Sequence, residues 1–170
     1  MEEENKILEF GTKREQEERR DGGCTVVFDP QTKLYAVYKH PRTGVLCLFG
    51  GGFDEGESEE DGCLRELKEE SGLADFLYTE KIDRVICHYF NRNKKIYRMA
   101  HASCFLVVLN SLTKGETKLE EHESDFEFML STKEEILNNW ESFNEDKDYD
   151  HWIYFLEKAS ERLSELGYTP

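Results

Sequence analysis

Residues 51–73 read GGFDEGESEEDGCLRELKEESGL. The stretch divides at Ser58. Before it, Gly51, Gly52 and Gly56, with Gly50 just ahead, punctuate a run of acidic residues. Such a glycine-rich turn lets backbone amides approach an anion closely. After it, residues 58–71 are predicted helical, with Ser58 as N-cap, Asp61 at the capping-box position and Gly72 as the stop. On a helix advancing about 100° per residue, Glu69 lies about 60° to one side of Glu66 and Glu70 about 40° to the other. Cys63, Leu64 and Leu67 fall on the adjoining face, which suits packing against a sheet. Three carboxylates on one stripe destabilise an isolated helix by roughly a few tenths of a kcal/mol per pair. A hard divalent cation with oxygen ligands offsets that repulsion. Taken alone, the run reads as a solvated glutamate-rich face, and the glycine-rich turn ahead of it is what favours the cation.

The flanks read as strands. Residues 24–28 and 34–38 pair as a hairpin across the turn Asp29-Pro30-Gln31-Thr32-Lys33. Residues 45–49 form a short strand that the glycine run interrupts. Residues 82–90 and 96–109 are longer strands joined by the polar turn Asn91-Arg92-Asn93-Lys94-Lys95. A short strand at 126–130, a helix near 133–139 and an amphipathic helix over 149–166 complete the chain. In that last helix Trp152, Phe155, Leu156, Ala159, Leu163 and Leu166 keep the helical period. Residues 1–21 are a charged segment with a short strand at 7–10, and a candidate arm across a neighbouring copy. Strands before and after a central helix imply an α/β fold, a mixed sheet covered on both faces.

With 170 residues and 38% hydrophobic content, one domain spanning 1–170 is expected. The net charge is −15, and from Glu116 onward sixteen acidic residues face five basic ones. That field repels nucleic-acid backbone, so a duplex-binding role is not expected. The five cysteines, Cys24, Cys47, Cys63, Cys87 and Cys104, form no CxxC pair and read as buried thiols of a reducing compartment. The acidic start, Met1-Glu2-Glu3-Glu4, lacks the apolar run of a signal peptide, and no stretch reaches the roughly 20 apolar residues of a membrane span. A cytoplasmic protein without membrane partners, monomeric or homodimeric, is the expectation.

The pattern Gly51, Glu57, Arg65-Glu66-Leu67, Glu69-Glu70, Gly72-Leu73 resembles the Nudix box: seven invariant and two aliphatic positions, every spacing kept. One departure is Phe49, where many members carry proline. The resemblance implies an α/β/α sandwich built around a loop–helix–loop, and a pyrophosphohydrolase using Mg2+, with Mn2+ as the alternative ion. It implies Glu66, Glu69 and Glu70 as metal ligands, aided by the Gly50 carbonyl. Glu57 and Arg65 would brace helix against loop, and Gly51, Gly52 and Gly72 would serve backbone geometry and the diphosphate. The general base stays open among Glu66, Glu69 and a late-loop glutamate, of which Glu123 is favoured over Glu120 and Glu121.

The rest of the substrate must be read outside the box. Tyr89 stands sixteen residues beyond Leu73, where a tyrosine accompanies the family's diadenosine polyphosphate hydrolases; the proline marking many ADP-ribose members is absent. Tyr89 is a candidate base-stacking residue. Arg92, Lys94, Lys95 and Arg98 form a basic cluster suited to a longer phosphate chain. The expected partner is a small nucleotide, with a dinucleoside polyphosphate preferred. Nucleoside triphosphates, ADP-ribose and nucleotide sugars are the alternative substrates, and a non-catalytic nucleotide sensor is the alternative class. Every box carboxylate is present, which favours the enzyme.

Overall fold

The computed structural model describes residues 6–123 and 125–170; the acidic start Met1-Glu2-Glu3-Glu4 lies outside them. The chain runs β1 (Glu9–Phe10), β2 (Glu18–Arg19), β3 (Gly22–Asp29), β4 (Leu34–Lys39), β5 (Leu46–Cys47), β6 (Phe49–Gly52), α1 (Glu59–Ser71), β7 (Phe76–Asn91) and β8 (Ile96–Leu109). A 3-10 turn (Glu121–Glu123), β9 (Glu127–Ser131), α2 (Lys133–Ser142) and α3 (Asp150–Glu165) follow. The strands form one mixed sheet in the order β1-β7-β8-β3-β4-β5, with β2 added to β8, β6 to β3 and β9 to β4.

Alternation along the central strands makes the sandwich, because successive strand side chains face opposite sides. On one face Val26, Phe28, Tyr35, Val37, Leu106 and Val108 pack beneath α2 and α3 through Trp140, Phe155, Leu156 and Leu163. On the other, Val27, Ala36, Phe49, Val107 and Leu109 pack beneath α1 through Leu67, with Leu73 just beyond its end. The mixed α/β sandwich expected from the chain is therefore what forms. No helix among the described residues is long and apolar enough to cross a membrane.

Three details differ from the sequence reading. The glycine run does not end a strand: the break falls at Leu48, and Gly50, Gly51 and Gly52 are themselves strand residues paired with Cys24, Gly23 and Gly22. Two glycine-rich segments can approach so closely that a Cβ on Gly22 would meet the Gly51 carbonyl oxygen at 2.3 Å. β3 thus changes partner midway, pairing β6 through Thr25 and β4 from Val27. The β7 strand starts at Phe76 rather than 82, carried through irregularities at Phe76/Tyr78 and Lys81/Asp83 by the unbroken β8 beside it. At α1, Ser58 Oγ accepts from the Asp61 N–H, but the reciprocal bond of a capping box forms in α2, between Thr132 and Glu135.

Candidate active site

Packing decides which face of α1 turns toward the sheet. Cys63 and Leu67 are buried, and the adjoining stripe carries Glu66, Glu69 and Glu70 beside β6. Gly51 makes room for the first of them, since a Cβ there would stand 2.6–2.9 Å from the Glu66 carboxylate. Glu70 Oε1 accepts from the Gly50 N–H at 2.7 Å. A residue's N–H and C=O point to the same side of a strand, so the Gly50 carbonyl is turned toward the site as well.

Arg65 ties loop to helix. Its Nε and Nη2 donate to the two Glu57 carboxylate oxygens at 2.8 and 3.0 Å, and Nη2 also donates to the Gly52 carbonyl at 3.0 Å. Nη1 reaches Glu66 at 3.0 Å and Glu69 at 3.2 Å. The Arg65 hydrogen bonds, with one from the Asp54 N–H, hold Glu57 down to about 2. Through these contacts Arg65 and Glu57 join helix to loop.

The end of α1 positions the late loop. Gly72 sits at φ +78° as the helix stop, and its carbonyl accepts from the Gly115 N–H at 2.7 Å. One turn back the Glu69 carbonyl accepts from the Lys118 N–H at 2.8 Å. Led along the helix in this way, the chain turns over at Glu121–Glu123, and the Glu123 side chain hydrogen-bonds that of Glu70. Burial, then this second carboxylate, push Glu70 well above the usual carboxylate range, against the pull of the Gly50 N–H. Burial raises Glu66 too, and Arg65 opposes it.

These groups line a cavity of about 710 Å³, a volume suited to a small ligand. Gly50, Gly51, Gly52, Glu66, Glu69, Glu70 and Glu123 share it with Tyr89, Arg92, Lys94 and Arg98. Of the basic turn, Lys95 is exposed at φ 55° and is not part of the wall. Glu120 lines the cavity and Glu121 does not. The Tyr89 ring is half-buried, 6.1 Å from the His151 ring. Arg98 is only 8% exposed; its Nη2 reaches Glu18 at 3.4 Å, and its buried Nε has no hydrogen-bond partner among the described residues.

Sequence reasoning missed several wall residues. Arg20 enters from ahead of β3; Tyr38 and Phe126, stacked at 4.5 Å and 11°, enter from beyond α1's carboxylates; Tyr149, His151 and Trp152 enter from the start of α3. The helical period of α3 marked Trp152 as core, and only the docking of that helix turns its first residues toward the cavity. Burial lowers His151 to about 4, so the ring is neutral near pH 7.

The donor set suits a hard cation. Glu66 and Glu69 share the Arg65 guanidinium, and Glu70 stands against Glu123, so that burial and the second carboxylate hold Glu70 above the usual carboxylate range in the absence of a cation. Among the described residues no three His, Cys, Asp or Glu side chains stand in place to hold one ion. Arg65 engages Glu66 and Glu69 while Gly50 engages Glu70. Magnesium requires few protein carboxylates and keeps several waters, so a partial protein shell is sufficient.

A family model described as "NUDIX domain" matches residues 18–153. The NUDIX domain of Shewanella oneidensis NrtR, solved in complex with ADP ribose, superposes with a TM-score of 0.58 at 19% identity, covering 87% of this chain and 90% of that one. The longer structure of Shewanella oneidensis NrtR superposes with a TM-score of 0.55 at 21% identity, over 86% of this chain and 64% of that one. A NUDIX hydrolase from Nitrosomonas europaea gives 0.53 at 19% identity, over 89% and 98%. At these identities the likeness is one of fold. No curated protein matches the chain.

Proposed function

We propose, from the premise that the chain belongs to the Nudix family, that it hydrolyses a phosphoanhydride bond in a nucleoside diphosphate linked to a second moiety. The observation that carries this reading is the shared cavity: four carboxylates and a glycine strand at one part of the wall, an aromatic and basic surface at another. A diphosphate fits the first and the rest of a nucleotide the second.

Glu66, Glu69 and Glu70, with the Gly50 carbonyl, would hold Mg2+ or Mn2+. Such an ion, when bound, neutralises pyrophosphate charge and lowers the pKa of a coordinated water. The chain's own groups do the rest. Gly51 and Gly52 let the substrate's phosphates approach the backbone. Arg65 keeps the carboxylate stripe in register with the loop through Glu57. Glu123 is the favoured base, because the late loop brings its carboxylate into hydrogen-bond contact with the ligand set. Glu66 and Glu69 are each bound by Arg65, which occupies lone pairs a base would use.

For the second moiety we favour a dinucleoside polyphosphate: Tyr89 offers a stacking face, and Arg92 and Arg98 share its cavity. Release of mononucleotide products at fixed magnesium, resolved by chromatography, is the test, with diadenosine tetraphosphate, ADP-ribose, a nucleotide sugar and the nucleoside triphosphates compared by kcat/KM. Turnover on none of them, with nucleotide binding retained, would point to a sensor. A tenfold win for ADP-ribose or one triphosphate would remove the dinucleotide reading and leave the hydrolase.

A further inference from the structure

The charged N-terminal segment folds back along its own chain. Glu9 and Phe10 pair in parallel with β7, and Glu18 and Arg19 with β8. Between these two contacts the segment clasps a buried histidine. Glu9 Oε1 stands 2.6 Å from His88 Nε2 and Glu17 Oε2 stands 2.8 Å from His88 Nδ1, on a ring only 3% exposed.

Two further ties follow: the Arg20 N–H donates to the Met99 carbonyl, and Asp21 Oδ1 accepts from the His101 N–H at 3.0 Å. Neighbouring strand residues point opposite ways, and here that separates two arginines. Arg19 turns outward and pairs with Asp21. Arg20 turns into the catalytic cavity and lies along β6, so that a Cβ on Gly52 would meet Nη2, Nε and Cζ of Arg20 at 2.4–2.6 Å. The Arg20 guanidinium makes no ion pair with any described residue. A cation brought to the wall by its backbone, without a carboxylate partner among the described residues, is set to meet an anion brought by the ligand.

We propose that Arg20 binds phosphate oxygens of the nucleotide, and that the segment from Glu9 to Asp21 serves to present it, with Gly52 kept bare as its seat. This rests on reading the cavity as a nucleotide site. It adds to the box a contact from a segment that lies wholly outside it.

The experiment uses the full chain with R20Q, R20K and G52A. KM is measured on the best substrate of the panel, and the Kd for ADP is measured by calorimetry. Loss of one charge-assisted contact predicts a rise of about tenfold in KM and Kd for R20Q, with kcat moved far less. R20K should recover part of the loss, since a point charge replaces a fork. G52A should resemble R20Q, because the guanidinium is displaced although still present. Thermal midpoints of R20Q and R20K should equal that of the wild type. If KM and Kd of R20Q match the wild type, the proposal is overturned; a fall in kcat alone overturns it as well. If the wild type turns over nothing but R20Q still weakens ADP binding, the hydrolase reading fails and the Arg20 contact stands.

Discussion

Replacing Gly72 with alanine tests whether the end of α1 is what brings Glu123 to Glu70. Two costs follow from the geometry. Gly72 sits at φ +78°, where an L side chain costs about 1–2 kcal/mol. A Cβ there would also lie 2.5 Å from the Gly115 carbonyl oxygen, a backbone atom that cannot swing aside. Relieving such an overlap costs about 1–3 kcal/mol. Together they predict about 2–5 kcal/mol, a drop of about 4–20 °C in thermal midpoint for a domain of this size. Gly72→Asn separates the terms, because asparagine tolerates the left-handed region but keeps the Cβ. It should recover about 1 kcal/mol. Circular dichroism melts give both numbers. Because the Gly115 N–H hangs on the Gly72 carbonyl, both variants should also lose about tenfold or more in turnover well below their midpoints, the usual penalty for a misplaced group. An alanine variant melting within about 1 °C of wild type contradicts the strain estimate. An asparagine variant with full turnover contradicts the link from helix end to Glu123.

Other expectations are simpler to state. Glu70→Gln keeps an oxygen for the Gly50 N–H and should fold normally; with Glu69→Gln, it should lose about a hundredfold or more in turnover at saturating magnesium. Turnover above about a tenth of wild type would remove these residues from the ligand set. Arg65→Ala should lower the midpoint of the metal-free protein, since Glu57, Glu66 and Glu69 all lose their shared guanidinium; an unchanged midpoint with abolished activity would make Arg65 a substrate contact instead. Tyr89→Ala should raise KM by about tenfold to a hundredfold with little change in kcat, as lost stacking of roughly 1–3 kcal/mol requires; an unmoved KM returns Tyr89 to the role of strand aromatic. His151 concerns pH. Burial lowers it from 6.5 to about 4, so the unfolded chain takes up a proton in that window that the folded chain refuses. Stability should be complete above about pH 6.5 and fall as pH drops toward 4, by at most about 1.4 kcal/mol per pH unit. Urea titrations of wild type and His151→Phe at pH 7 and 5 check this, and equal acid sensitivity would contradict it.

What the sequence alone determined is local. Ser58 and Gly72 bound a helix because an N-cap oxygen and a left-handed stop act within one turn. The spacing of Glu66, Glu69 and Glu70 placed them on one stripe through helical geometry, and Cys63 and Leu67 turned the adjoining face inward. The period of 3.6 in α3, and strands on both sides of a central helix, foretold a sheet covered on both faces. Everything that needed a contact across the chain waited for the tertiary structure. Pairing of Gly50–Gly52 with Gly22–Cys24 depends on two segments meeting, and no period within either announces it. Glu123 reaches Glu70 because backbone bonds lead a loop along α1, a contact that no local pattern among Glu120, Glu121 and Glu123 announces. Arg20 and His151 reach the cavity from segments far from the box, one fastened by carboxylates on His88, the other by the docking of α3. Capping, period and turn chemistry act over a few residues and are written in order along the chain. Closure of a cavity depends on which distant surfaces bury one another, and that is settled only when the whole core packs.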